Sequence, residues 1–286
     1  MTLSQPSADL FVPDGTPLPE ALARTTHLGI GAHQDDLEFF AYHGIAACFQ
    51  QPGEWFGGVI VTNGAGSARD GVYARYTDAE MIEVRRREQR KAAAIGEYGA
   101  MIQLGHASGA LKDAAESNVV VDDLVRILEM TKPDYVYVHN PADKHDTHVA
   151  LLVRCLAALR KLPAAARPKR VYGCEVWRDL DWVPDERKVV LPVSDRPNLQ
   201  AALNGVFDSQ ISGGKRYDLA VMGRRLAHAT FHESHEVDTH TGLTFALDLT
   251  ALARDETLTL SAYLDDLLHA FSEDVKKRVD RFSGQS

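Results

Sequence analysis

Gly31-Ala32-His33-Gln34-Asp35-Asp36-Leu37-Glu38 separates an apolar run from a helical pattern. Residues 27–32 before it read as a short buried strand, and residues 37–49 after it carry apolar side chains at helical spacing. The polar cluster therefore falls in a strand-to-helix turn. In an open α/β sheet such turns gather at the carboxyl ends of the strands, where ligands bind at a topological switch point. A histidine and two adjacent carboxylates crowded there need either solvation or a positive partner. A divalent cation would provide the second.

The pattern repeats further along. Residues 55–62 form a β-rich run, followed over 63–76 by a loop with three glycines, long enough to be functional or mobile. Asp78 is placed to cap a helix reaching about residue 97, with Met81, Val84, Glu88, Ala92 and Ile95 on one stripe. Glu88 interrupts that stripe and Arg85 lies one turn before it. The spacing alone favours a structural ion pair over an arginine held to contact substrate. Residues 101–104 read as a strand, 119–130 as a helix ended by Pro133, and 134–138 (Asp-Tyr-Val-Tyr-Val) as a strand. That strand empties into His139-Asn140-Pro141-Ala142-Asp143-Lys144-His145-Asp146-Thr147-His148, and residues 149–162 return to helix. Two polar clusters thus follow strands and open helices. A doubly wound, mostly parallel sheet flanked by helices brings both to one rim.

The remainder is less regular. Strands are expected over 169–177 and 188–193 as an antiparallel addition, and helices over 198–209 and 216–231. The histidine-rich stretch His228–His240 fits no metal-ligand spacing and reads as a solvated loop, with a wall of the pocket as the lesser reading. A terminal helix over 258–282 presents Leu260, Leu264, Leu267, Leu268, Phe271, Val275 and Val279 as a stripe expected to dock on the body. With no repeat or linker, residues 1–286 are expected to form a single α/β domain. Within it, 1–19 is an extended arm and 169–286 an irregular C-terminal part.

Composition narrows the function. The chain has 286 residues, 45% hydrophobic and 25% charged, and no apolar run near the ~18 residues of a membrane span. A net charge of −9 argues against a general nucleic-acid or membrane surface. Cys48, Cys155 and Cys174 lack paired spacing and read as reduced, buried thiols. The expectation is a cytoplasmic protein acting on a small molecule.

A catalytic zinc takes three protein ligands and leaves a position for water. His33 and Asp36, three apart in a turn, can point to one centre that His148 completes. Asp35 is left beside it as a general base, because a bound cation lowers the pKa of water toward ~7. His145, three residues before His148, is placed as a protonated acid and oxyanion stabiliser. Such a set suits hydrolysis of an amide carbonyl. Taken singly, the acids could merely favour a helix N-terminus, Asp146 or Thr147 could be an N-cap, and His148 a surface residue. Two such clusters at the same kind of junction favour a site.

Ala32-His33-Gln34-Asp35-Asp36 resembles the Ala-His-Pro-Asp-Asp motif of the PIG-L/LmbE-like zinc-dependent N-deacetylases, and His145-Asp146-Thr147-His148 resembles their His-Pro-Asp-His motif. The helix bearing Arg85 and Glu88 looks like the family's Arg-x-x-Glu helix. The resemblance covers about residues 27–162. It implies a Rossmann-like fold and removal of an acetyl group from an N-acetylated amino sugar, of the N-acetylglucosamine kind, or its conjugate. By that match His33, Asp36 and His148 bind Zn2+, Asp35 is the base, His145 the acid or oxyanion partner, and Arg85 helps hold substrate. The same ligand set also accepts Fe2+, cobalt or manganese. Gln34 stands in place of a proline that stiffens the turn, and Thr147 in place of an aspartate that tunes the neighbouring histidine, a role that Asp143 or Asp146 is expected to assume. A same-fold amidase acting on another amide, such as a thiol conjugate, and a non-catalytic ligand-binding member are the alternatives. Pocket walls are expected from 63–76, from 105–117 and from the C-terminal third. The sequence does not fix an oligomeric state.

Overall fold

The structure is a computed structural model, and it describes residues 1–113 and 116–284. Positions 114 and 115, within the expected 105–117 loop, and 285 and 286 lie outside the described residues. In chain order the elements are β1 (Asp9–Phe11), α1 (Leu18–Ala23), β2 (His27–Gly31), α2 (Asp36–Phe40), α3 (Tyr42–Cys48), β3 (Phe56–Thr62), α4 (Asp78–Ile95), β4 (Ala100–His106), α5 (Ser108–Lys112) and α6 (Ser117–Thr131). They continue with β5 (Tyr135–His139), α7 (Asp146–Lys161), β6 (Arg170–Cys174), β7 (Val189–Pro192), α8 (Pro197–Gly205), α9 (Asp208–Ile211), α10 (Tyr217–Phe231), β8 (Leu243–Asp248), α11 (Thr250–Arg254) and α12 (Leu260–Ser283).

One sheet runs in the order β1-β4-β3-β2-β5-β6-β8-β7. Its inner five strands, β4 to β6, are parallel, and β1, β8 and β7 add antiparallel pairs at the two ends. This is the expected α/β class. Strand alternation fills both faces: Val136 and Val138 join one core with α6 and α7, while Tyr137 joins the other with α2, α3 and α8. Strand β2 lies between β3 and β5, so the sheet's switch point is the crevice beyond β2 and β5. Both polar clusters open there. Gly31 makes the first turn possible, because a Cβ at that position would stand 2.9 Å from the Asp36 Cβ and 3.1 Å from Ile60.

Several boundaries differ from expectation for physical reasons. The helix expected over 37–49 is two helices meeting at Ala41, since buried Arg225 donates to the carbonyls of Glu38 (2.9 Å) and Phe39 (2.8 Å) and takes acceptors that a continuous helix would use. Helix α4 is capped by Thr77, not Asp78, in a reciprocal box with Glu80. Its buried face carries Arg85, Glu88 and Gln89 beside Met81 and Ala92, while Ile95 is exposed. The N-terminal arm is partly a strand: β1 pairs with β4, and α1 begins at Leu18. At the other end β8 inserts between β6 and β7, so those two strands are not neighbours. The helix expected over 198–209 is divided into α8 and α9. Of the α12 stripe only Leu267 is fully buried, while Leu268, Phe271, Val275 and Val279 are exposed. Among the described residues no helix is long and apolar enough to cross a membrane.

Candidate active site

The turn after β2 is built tightly. Asp35 adopts φ +96°, a left-handed conformation that is costly for any residue but glycine and that persists only where surroundings impose it. Its amide donates to Gln89 Oε1 (3.2 Å) and its Oδ2 lies 3.0 Å from Arg85 Nη2, which also donates to the Gln34 carbonyl. Glu88 Oε2 anchors Arg85 Nη1 at 3.3 Å and is itself held by the Ser209 hydroxyl at 2.7 Å. Helix α4 thus fixes the Asp35 carboxylate from behind. Arg85 is 1% exposed and its terminal nitrogens are engaged with protein, although it borders the cavity. Gly64, at φ +77°, leaves the room this requires: a Cβ there would meet Gln34 Oε1 at 2.6 Å and Arg85 Cγ at 3.0 Å.

Asp36 turns its two oxygens toward three imidazoles. Oδ2 lies 3.5 Å from His33 Nδ1 and 3.2 Å from His139 Nε2, and Oδ1 lies 3.5 Å from His148 Nε2. His33 Nδ1 and His148 Nε2 are 3.1 Å apart. Metal bonds of ~2.0 Å in a tetrahedron would separate donor atoms by ~3.3 Å, so the three expected ligands stand at that spacing. Asp143 Oδ2 lies 3.2 Å from His148 Nδ1, which places the ring hydrogen there and leaves Nε2 a bare lone pair. Burial pushes the His148 pKa to about 4, so the ring is neutral. A lone pair, a second imidazole and a carboxylate therefore face one another without a hydrogen assigned between His148 and Asp36. A divalent cation fits this donor set. Two overlapping triplets, His33-His145-His148 and Asp36-His139-His148, also bring donor atoms within 4.8 Å of one another.

The electrostatics divide the two carboxylates. Burial opposes charge on both, but His148 and His139 hold Asp36 well below the usual range. For Asp35 burial prevails over Arg85, and Asp36 adds repulsion, raising its pKa to about 6. Paired carboxylates driven apart in this way take different roles.

His145 departs from expectation. It is the N-cap of α7, its Nδ1 accepting the Thr147 amide at 3.3 Å, so in the neutral ring Nε2 bears the hydrogen. Burial first, then His33, lowers its pKa against the pull of Asp36 and Asp143. The expected protonated ring is corrected to a neutral donor. Asp143 accepts the His145 backbone amide at 3.1 Å, while its other oxygen orients the ring of His148, not that of His145. Asp146 is exposed in the first turn of α7, with no bond to either histidine among the described residues. The C-terminal histidines stay outside: His228 pairs with buried Glu175, and residues 233–239 are exposed.

A cavity of about 410 Å³ opens over this cluster. Gly64, Gly66, Ser67 and Ala68 from the glycine loop form one side, Ser108 and Lys112 another. Phe39, Val176, Trp177, Tyr217, Ala220 and Val221 give an apolar wall, with Arg224 beside them. Sequence reasoning did not single out His139 or the residues of this wall. His139 had a signal: alternation along β5 puts it on the face of Tyr135 and Tyr137, at the strand's carboxyl end. Of the wall residues only Phe39 lies beside a motif; the others had no signal, because helical and loop positions in the irregular third carry none.

Residues 28–159 match the family described as PIG-L: GlcNAc-PI de-N-acetylase. That match spans a little under half of the chain. All the motif residues lie inside that span, whereas Val176, Trp177 and α10 lie beyond it. An Escherichia coli (strain K12) protein named uncharacterized deacetylase YaiS is 28% identical over 151 residues, 52% of this chain and 76% of that relative. Among solved structures, N,N'-diacetylchitobiose deacetylase from Pyrococcus horikoshii is similar with a TM-score of 0.59 at 17% identity, covering 79% of this chain and 85% of that one. GalB, the 4-carboxy-2-hydroxymuconate hydratase of Pseudomonas putida KT2440, is similar with a TM-score of 0.60 at 15% identity, covering 79% and 95%. The same fold thus carries a deacetylase and a hydratase alike, so the fold does not choose the reaction.

Proposed function

We propose that this chain is a divalent-metal-dependent N-deacetylase acting on an N-acetylated amino sugar or its conjugate, with zinc as the first candidate metal. The observation that carries the reading is the convergence of His33, Asp36 and His148 at 3.1–3.5 Å, with the lone pair of His148 turned inward. His139 is a weaker ligand than these, because its Nε2 already accepts the Ala32 amide at 3.0 Å. His145 Nδ1 is likewise taken by Thr147. Both stay at the edge of the donor set.

A bound divalent cation supplies Lewis acidity and makes water a nucleophile near neutral pH. Asp35 accepts the proton of the attacking water, since a carboxylate with a pKa near 6 is ionised at pH 7 yet still basic. Arg85 and Gln89 hold that carboxylate in place, and Arg85 acts through Asp35 as a positioning residue. His145 donates a hydrogen bond from Nε2 to the developing oxyanion, and the proton that Asp35 took from the water passes to the departing amine. Asp143 fixes the orientation of His148. The cavity's volume suits a monosaccharide-sized group with its acyl arm directed at the acids.

Purified protein loaded with Zn2+ should release free amine from a panel that includes N-acetylglucosamine conjugates and N,N'-diacetylchitobiose. Release that disappears on chelation and returns with metal supports the proposal. Metal bound at one ion per chain with no amine released from any N-acetylated sugar, but from another amide, transfers the site to the amidase alternative.

A further inference from the structure

The geometry points to α12 as a dimerisation helix that pairs, antiparallel and about a two-fold axis, with α12 of a second copy of this chain. The helix spans about 36 Å at 1.5 Å per residue. Leu260, Tyr263 and Leu267 pack on the body, Asp266 is bound by Arg187, and Phe271 meets the edge of Trp182 at 6.3 Å. Beyond that point the helix leaves the protein, and residues 275–284 are all exposed. Yet apolar side chains continue. Leu268 is 52% exposed, Val275 43%, Val279 59% and Phe282 81%. Together with Leu264 and Phe271 they recur at spacings of three and four and lie on one arc, beside the face that covers the core. That spacing matches the seam of a two-helix coil, and in a single chain it stays uncovered.

Charge chooses the occupant. From 260 to 274 the helix carries Asp265, Asp266, Glu273 and Asp274 and neither lysine nor arginine, whereas from 275 to 283 it carries Lys276, Lys277, Arg278 and Arg281 against Asp280 alone. The helix dipole favours that order only within the first and last turns; Glu273 and Asp274 lie mid-helix, where they pair along the helix with Lys276 (3.3 Å) and Arg278 (3.1 Å) in exposed contacts weak enough to exchange for partners across a seam. A parallel copy would set acid against acid. An antiparallel copy sets the acidic half against the basic half twice, as a two-fold axis demands. With Phe271 near the axis, Leu264 comes opposite Val279 of the partner subunit and Leu268 opposite Val275 of the partner subunit. Asp265, which makes no ion pair among the described residues, comes to Lys276 of the partner subunit. The seam lies on the helix that covers the core, not on the cavity, so the inference is independent of the chemistry proposed above.

Sedimentation velocity of the full chain over a concentration series tests it. A dimer at micromolar concentration is expected, and Val279→Asp should raise its dissociation constant by ~10-fold or more while the circular-dichroism melt of the monomer is kept. Asp265→Lys and Lys276→Asp should each weaken the homodimer, and mixing the two single variants should restore a dimer, because each chain then meets its complement at both ends of the seam. A misfolded variant would not be rescued by mixing. A chain that stays monomeric at tens of micromolar overturns the inference, as does a dimer that Val279→Asp and the two charge variants leave unchanged.

Discussion

Two of the buried acid–histidine clusters among the described residues, at Glu175 and at Asp36, differ in where their lone pairs point. At Glu175 every direction is filled: Oε1 accepts from the Thr244 hydroxyl (3.1 Å), the Phe245 amide (3.1 Å) and His228 Nε2 (2.9 Å), and Oε2 from the Leu180 amide (3.0 Å). The ring of His228 also stacks on Phe245. Burial opposes the charge of Glu175, but these donors hold its pKa below the usual range. At Asp36 the His33 amide donates to Oδ2 at 2.6 Å, but the other neighbours are imidazoles, of which His139 and His148 turn acceptor nitrogens inward. Satisfied lone pairs make a staple between β6, β8 and α10, whereas lone pairs that face one another require a cation. Burial of acid and histidine is common to both clusters, so burial alone does not distinguish a site from a joint.

The sharpest way to break the comparison is to remove the acid from each. Asp36→Ala is expected to abolish metal binding and amine release together, with metal content measured by plasma mass spectrometry on folded protein. Glu175→Ala should keep one metal per folded chain but cost about 3–5 kcal/mol in denaturant unfolding, the penalty of leaving buried partners unpaired. A Glu175 variant that loses the metal, or an Asp36 variant that keeps it, would erase the distinction.

The next effect is smaller and separates the adjacent carboxylates. Asp35→Asn should retain metal and lower turnover by ~100-fold or more, because its carboxylate acts on water and does not ligate. Arg85→Met removes a cation that favours ionised Asp35, so the acid limb of the kcat/KM profile should shift to higher pH. A limb that stays in place in the Arg85 variant assigns it to another group. Gly64→Ala, which crowds Gln34 and Arg85 without touching a charge, should lower turnover with metal content kept.

What the sequence made legible follows from the same contrast. Turn chemistry is local: the strand before His33, the helix after Asp36 and the repetition of both at 139–148 lie within a few residues, so the parallel sheet and the meeting of His33, Asp36 and His148 could be anticipated. Tautomers and cap roles are not local. That His145 would accept from Thr147 and stay neutral depended on the backbone course of one turn and on the burial of its ring. The break at Ala41 depended on Arg225, nearly two hundred residues away in sequence. Strand β8 was missed for a related reason, since its partners β6 and β7 lie far earlier in the chain. The apolar wall of Val176, Trp177 and Tyr217 comes from the part of the chain beyond the family match, where no spacing marks it.

The smallest expected effect concerns a third acid, Glu38, which has neither a cation nor a full set of donors. It is fully buried, and Oε1 accepts from Gln89 (2.9 Å) and Tyr98 (2.7 Å) while Oε2 has no partner among the described residues. Burial, opposed by those two donors, pushes its pKa up to about 8. In the unfolded chain the same group releases its proton near pH 4.3. Between those values the folded protein binds the extra proton, so its stability falls as pH rises from about 4.3 to about 8 and then levels off. Glu38→Gln keeps the acceptor for Gln89 and Tyr98 but cannot ionise. Its thermal midpoint should match that of the parent near pH 4 and exceed it by several degrees at pH 8.5, a gain of a few kcal/mol at most. Equal midpoints at both pH values would mean that Glu38 ionises in the fold as it does in water, and that the network through Gln89 to the Asp35 amide carries a charge.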